Sequence, residues 1–362
     1  MANIRPFVAL RPNKNQVEQV AALPYDVFSR SEAAEYVEDK PYSFLNIDRP
    51  ETQFDSSHDM YADDVYQKAA SMLNEWTEQR VFIQEEKPCY YLYELTMNGR
   101  SQTGIVGAAS IDDYLEGRCK KHENTVEAKE QDRIRHVDIT SAHTGPIFLA
   151  YRSQAEIDII VSQQKQNKPL YDFISEDGVG HRIWRIDNDK VIKDLSSEIQ
   201  SIPATYIADG HHRNASAVKV GLKRRQQYPD FTGEEEFNYY LSISFPSNEL
   251  KILDYNRFVS DLNGLDKDQF LNRLSQVMEI TVLDQQISPQ HKGQVVMYLD
   301  GQWYALDIKQ EIIDKKEGPV NSLDVAILQE EVLSPILNIQ DPRTDSRISF
   351  VGGIRGLTEL EN

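Results

Sequence analysis

The residues of this 362-residue chain best suited to chemistry stand together at Asp209-Gly210-His211-His212-Arg213. A glycine there permits a sharp turn and close approach of a ligand, and a helix starting just after it presents backbone N–H groups that its own ladder does not use. Arg213 adds a planar, permanently charged fork. The combination suits a phosphate group, with Gly210, His211, His212, Arg213 and Asn214 as the binding residues. Neighbouring histidines on a helix diverge by about 100°, so His211 and His212 do not grip one metal ion in the usual way. One is expected to meet the ligand while the other supports Asp209 or the loop. The plainer alternative is an ordinary strand-turn-helix in which Asp209 caps the helix and the histidines make structural hydrogen bonds.

The elements that must position this turn can be read from pattern. Ala204-Thr205-Tyr206-Ile207-Ala208 reads as a strand ended by Asp209-Gly210, and Ala215, Ala217, Val218 and Val220 suit the helix that follows. Upstream, Ser29-x-x-Glu32 is a capping box. Tyr61, Val65, Ala69, Met72, Leu73 and Trp76 recur at spacings of three and four, which predicts an amphipathic helix within 57–82 with that stripe in the core. Residues 89–97 and 101–111 flank Asn98-Gly99 as a hairpin, and Asp177-Gly178 and Asp300-Gly301 mark two more. Residues 146–151 read as a buried strand and 237–245 as another, with helices near 190–199, 266–278 and 323–336. The segment 109–145 is unusually polar and is expected to be loop, apart from a solvated helix from Glu127 to Arg135. Helices mixed with hairpins indicate an α+β class rather than a regular βαβ array. Three regions are expected: 1–115, an α+β region with a hairpin; 116–230, the phosphate-binding core; and 231–362, a C-terminal α+β region.

Composition bounds the partners. The chain is 40% hydrophobic, enough to fill the cores of two or three domains, and carries 58 acidic against 39 basic residues for a net charge of -19. Such a surface repels nucleic acid and anionic lipid, so an anion site must be a local positive pocket. The opening Met-Ala-Asn-Ile-Arg-Pro has no basic stretch leading into an apolar run, and no stretch is long and apolar enough to span a bilayer, so the cytoplasm is the expected location. Cys89 and Cys119 fall outside any Cys-x-x-Cys pattern and are expected to be packing thiols.

Several pieces in order carry a resemblance: Ile4-Arg5-Pro6-Phe7, Leu23-Pro24-Tyr25-Asp26-Val27, Lys121-His122-Glu123-x-Thr125, Ile207-Ala-Asp-Gly-His-His-Arg213, Leu253-Asp254-Tyr255-Asn256-Arg257 and Phe350-Val-Gly-Gly-Ile-Arg-Gly356. They resemble the domain-of-unknown-function 1015 family, within the ParB/sulfiredoxin-like superfamily that includes free-serine kinases, and the resemblance covers most of the chain. It implies a ParB/sulfiredoxin-like core with a mixed sheet and added α+β regions at both ends. In the kinases a His-Glu pair precedes the Asp-Gly-His-His-Arg run and its glutamate is taken as the base. By that resemblance Glu123 is the base candidate, with His122 and Asp209 beside it, and ADP or ATP with Mg²⁺ the phosphoryl donor. Asp26, a magnesium ligand or a turn-former, and Thr125 and Arg257 are supporting candidates. The chain has Asn256-Arg257 where the family as a rule has His-Arg.

The leading expectation is a nucleotide-dependent phosphotransferase acting on a small hydroxyl compound, with serine the best acceptor. Two other classes stay open: a nucleotide-binding switch or partition-like DNA adaptor, against which the net charge argues, and a phosphatase or nucleotidase using water as acceptor. Metal ligands and oligomeric state are left undetermined by the sequence. Gly352-Gly353-x-x-Gly356 lacks the Lys-Ser/Thr of a phosphate loop and reads as structural.

Overall fold

A computed structural model describes residues 1–122, 127–353 and 357–361, with only the backbone of residues 128, 129 and 359. The chain forms two compact units, Met1–Leu250 and Lys251–Asn362.

In the first unit the strands are β1 (Ile4–Arg5), β2 (Leu10–Pro12), β3 (Phe82–Gln84), β4 (Tyr90–Met97), β5 (Arg100–Ser110), β6 (Cys119–Lys120), β7 (Ile147–Tyr151), β8 (Tyr171–Ile174), β9 (Gly180–Ile186), β10 (Thr205–Asp209) and β11 (Tyr239–Pro246). Nine of them form one sheet in the order β6-β10-β7-β11-β5-β4-β9-β8, with β1 also on β5. The sheet is mixed: β10 runs parallel to β6 and β11 parallel to β7, and the other pairs are antiparallel. Strands β2 and β3 pair separately.

Local sequence explains most of these elements. Asn98 and Gly99 take φ of 52° and 75°, the left-handed pair that lets two residues close the β4–β5 hairpin. The capping box forms, with Ser29 and Glu32 exchanging side-chain and backbone bonds at the start of the helix Arg30–Val37. In the helix Asp63–Glu78 the expected stripe is buried at Val65, Ala69, Met72 and Trp76, and Tyr66 is buried beside it. Tyr61 departs from it: it precedes the helix and is 51% exposed.

The main core lies against the large sheet, where Tyr90, Leu92, Ile105, Ile147, Leu149, Tyr151, Ile207 and Tyr240 meet Ile157, Leu195, Ile199, Ala217 and Val218 from three helices. Each such aliphatic side chain removed from water contributes about 1.5–3 kcal/mol. Both cysteines are buried free thiols. The expectation of a loop over 109–145 is corrected: this stretch holds the helix Ile111–Leu115 and β6, and the helix expected from Glu127 to Arg135 is present and runs on to Thr140. Its polarity misled because Glu130, Arg133 and His136 are buried on that helix, each at 7% exposure or less.

The second unit contains β12 (Tyr255–Val259), β13 (Met278–Leu283), β14 (Gln294–Leu299), β15 (Gln302–Ile308) and β16 (Ile348–Gly352). β13, β15 and β14 make a three-stranded antiparallel sheet, and β12 pairs with β16. Its own core gathers Phe270, Leu274, Tyr304, Leu306, Leu333 and Ile339. Among the described residues no helix is long and apolar enough to cross a membrane.

Candidate functional site

Strand β10 delivers the Asp-Gly-His-His-Arg segment. Thr205 and Ile207 point into the core while Tyr206 and Ala208 face out. Register shifts against β7 between Ile207 and Asp209, and pairing resumes with Asp209 opposite Phe148. Gly210 then takes φ 89° and ψ 32°, a conformation that costs a side-chain-bearing residue about 1–2 kcal/mol. The helix His211–Gln227 follows at once, and its first ladder bond is from Asn214 N–H to Gly210 O at 2.8 Å. The amides of His211, His212 and Arg213 therefore precede the ladder, and no side chain among the described residues caps this end. The capping role considered for Asp209 is not realised.

Asp209 instead receives Arg213 Nη2–H at 2.6 Å, while Nη1–H goes to Pro146 O at 2.6 Å. The guanidinium packs over two glycines: a Cβ built on Gly210 would lie 3.2 Å from Nη2, and one on Gly145 3.2 Å from Nη1. Arg213 is thus clamped, with two of its five N–H groups committed to described residues and its side chain 19% exposed against 66% for Asp209. It is a fixed positive point beside a helix N-terminus, the arrangement that binds anions.

Four of the remaining predicted residues, His122, His211, His212 and Asn214, sit close by. His211 is buried and meets His122 edge-on, ring centres 4.5 Å apart. His212 is half-buried, and its Nδ1 has no hydrogen-bond partner among the described residues. Asn214 is wholly enclosed. Glu123 and Thr125 lie outside the described residues. The chain just ahead of them is nonetheless brought to the turn, because β6 runs parallel to β10 with Thr205 opposite Cys119 and Tyr206 opposite Lys120. His122 therefore emerges on the same side as Asp209.

Asp26 is exposed on a single 3₁₀ turn, Tyr25–Val27. That turn is held by Arg49, whose Nη1–H groups reach Tyr25 O at 3.0 Å and Phe28 O at 2.7 Å while Nε–H bonds Glu51 Oε1 at 2.5 Å. Arg257 belongs to the second unit, on β12, where it donates to Tyr255 O at 3.1 Å and burial lowers its pKa. The Leu253–Arg257 and Phe350–Gly353 motifs meet there as the β12–β16 pair, with Gly353 N–H bonded to Asp254 O at 2.7 Å.

Sequence reasoning missed a group of polar residues at Arg213. A small cavity bordering it is lined also by Tyr25, Asp48, Arg133, His136 and His143. Arg133 pairs with Asp132 at 2.9 Å and lies 4.4 Å from the centre of the Tyr25 ring. His136 Nε2 bonds Ile47 O at 2.8 Å, and His143 Nε2 bonds Tyr239 O at 3.1 Å, so each imidazole carries its proton on Nε2. Burial lowers both pKa values, that of His143 to about 4, and both rings are neutral at pH 7. Burial raises the Tyr25 pKa, with the fields of Arg133 and Arg213 opposing it. The only available signal was the Leu-Pro-Tyr-Asp-Val motif, which supplies Tyr25. Among the described residues no group of three His, Cys, Asp or Glu could hold a metal ion.

A family model described as Protein of unknown function (DUF1015) matches residues 4–326. No curated protein matches the chain, and no solved structure does.

Proposed function

For a chain that belongs to the DUF1015 family, whose description names no reaction, we propose a nucleotide-dependent phosphotransferase acting on a small hydroxyl compound, with free L-serine the acceptor suggested by resemblance. The observation that carries this reading is the helix start behind Gly210, which no side chain among the described residues caps, with Arg213 clamped over it. Amides aimed outward and a fixed guanidinium stabilise the negative charge on phosphate oxygens. The reading takes the mixed sheet around β10 as a ParB/sulfiredoxin-like core.

The residues present fit a phosphate chain. For magnesium the fit is partial: Asp209 offers one exposed carboxylate, and Mg²⁺ is commonly held by one or two carboxylates together with phosphate oxygens and water. When bound, the ion would offset phosphate charge. The chain's own residues do the rest. The turn Asp209–Arg213 orients the donor, and Glu123 takes the proton of the acceptor hydroxyl as its oxygen bonds to the terminal phosphorus. The bond from that phosphorus to the bridging oxygen breaks, leaving the shortened nucleotide. The role of Glu123 rests on resemblance, supported by the approach of its neighbour His122 to His211.

The test is incubation of the purified protein with ADP or ATP, magnesium and a panel of hydroxyl amino acids. Phosphorylated acceptor is the expected product. Free phosphate alone would make the protein a hydrolase, and bound nucleotide without turnover would make it a switch.

A further inference from the structure

The helix His211–Gln227 is seventeen residues and so about 25 Å long, and a second cavity lies at its other end, away from the phosphate turn. This cavity measures about 640 Å³, within the range of small-molecule sites, and Tyr228, Pro229, Asp230, Phe231, Glu235 and Phe237 are among its lining residues. Pro229 has no N–H to extend the helical ladder, so the helix stops here with its negative pole at the cavity edge. Three aromatic rings wall it. Tyr228, 60% exposed, lies nearly parallel to Phe237 at 6.1 Å, and Phe231 stands at 67° to Phe237, 6.5 Å away, so the rings form a corner. Aromatic faces attract cations and repel anions.

Glu235 sets the chemistry of the corner. Its Oε1 accepts from Thr232 N–H at 2.7 Å and from Thr232 Oγ1–H at 3.0 Å, and its Oε2 from Gly233 N–H at 2.9 Å and Asn238 Nδ2–H at 3.0 Å. These bonds, led by that of the Thr232 amide, hold its pKa down at about 2, so the carboxylate stays charged. Four donors also fill the four lone-pair positions of a carboxylate, and Glu235 offers charge without a free acceptor. Asp230 adds a second carboxylate at the rim. The neighbouring cation does not cancel them: Arg225, 4.9 Å from the Phe231 ring centre, spends its guanidinium on Asp112 at 2.8 and 2.9 Å and on Asn238 at 2.6 Å. We propose that this cavity binds a small organic cation of the alkylated-ammonium class, its charge held by the rings of Tyr228, Phe231 and Phe237 and by the fixed negative charge of Glu235. Such a cation carries no N–H that Glu235 would have to accept, and its apolar substituents lie against the rings. The site is independent of the phosphotransferase reading.

A titration of the full chain followed by NMR tests it, using choline, benzyltrimethylammonium and 3,3-dimethylbutan-1-ol, the uncharged carbon counterpart of choline. Both cations are expected to bind at millimolar concentration, and the alcohol at least about fivefold more weakly than choline, because shape is kept while the charge is lost. Tyr228→Leu should weaken both cations by about two- to fivefold, the worth of one ring face, and Tyr228→Phe should keep wild-type affinity. Glu235→Gln should weaken both cations and leave the alcohol unchanged. Should Glu235→Gln unfold its turn, the choline pair and the two Tyr228 variants decide alone. Equal affinity for choline and its carbon counterpart, wild-type affinity in Tyr228→Leu, or no binding of either cation at tens of millimolar would each overturn the proposal.

Discussion

The guanidinium of Arg213 lies so close over Gly210 that a methyl group on that Cα would meet Nη2 at 3.2 Å and Cζ at 3.3 Å. Gly210 also has φ of 89°. Two independent penalties therefore fall on Gly210→Ala: the left-handed backbone costs about 1–2 kcal/mol, and the clamp must shift by a few tenths of an ångström. The expected outcome is a lower melting temperature together with a nucleotide affinity reduced by about tenfold, read by calorimetry. A variant that melts lower but binds as before would show that the cradle does not depend on this contact.

Arg213 and Asp209 should separate by readout. The ion pair is half in solvent, so removing it through Asp209→Asn costs less than about 1 kcal/mol of stability. Arg213→Ala removes the clamped cation at this helix start and should weaken nucleotide binding by about 10–100-fold, as loss of a charged hydrogen bond does. Asp209→Asn should leave nucleotide affinity within a few fold and act on turnover. Calorimetry of both variants with ADP and ATP decides between them; equal nucleotide affinity in Arg213→Ala and wild type ends its assigned role.

Glu123→Gln tests the base. A missing general base lowers turnover by about 10²–10⁴ and leaves binding of the donor unaffected. Steady-state rates and nucleotide calorimetry on the same preparation give both numbers, and a rate loss below about threefold would remove Glu123 from the chemistry.

Much of the scaffold was legible because it is written locally. The Asn98-Gly99 hairpin, the Ser29–Glu32 box and the strand-glycine-helix order at 205–213 each depend on residues within a few positions of one another. What was hidden depends on distance along the chain. β11 inserts between β7 and β5, and the parallel pairing of β6 with β10 joins residues 119–120 to 205–206, which no short pattern announces. The cavity was hidden for another reason. Periodicity counts apolar residues, whereas the buried face of the helix Glu127–Thr140 includes Glu130, Arg133 and His136. Asp209 likewise looked like a cap because Asp before a helix usually is one, and only the structure shows Arg213 one turn on claiming its carboxylate.

His143 makes acid stability a test of how tightly this region is closed. Its folded pKa is about 4, below the ordinary histidine value of 6.5, because burial disfavours the imidazolium. The unfolded chain therefore binds more protons than the folded one between these two values, and stability falls as pH drops through that window. At 1.36 kcal/mol per unit the whole effect is at most about 3 kcal/mol. His143→Gln cannot take up this proton, and its amide can still donate to Tyr239 O. Urea midpoints measured from pH 7 to pH 4 should decline more steeply in wild type than in the variant. Parallel declines would place the proton uptake elsewhere, with buried His136, whose pKa is also lowered by burial, the next residue to replace.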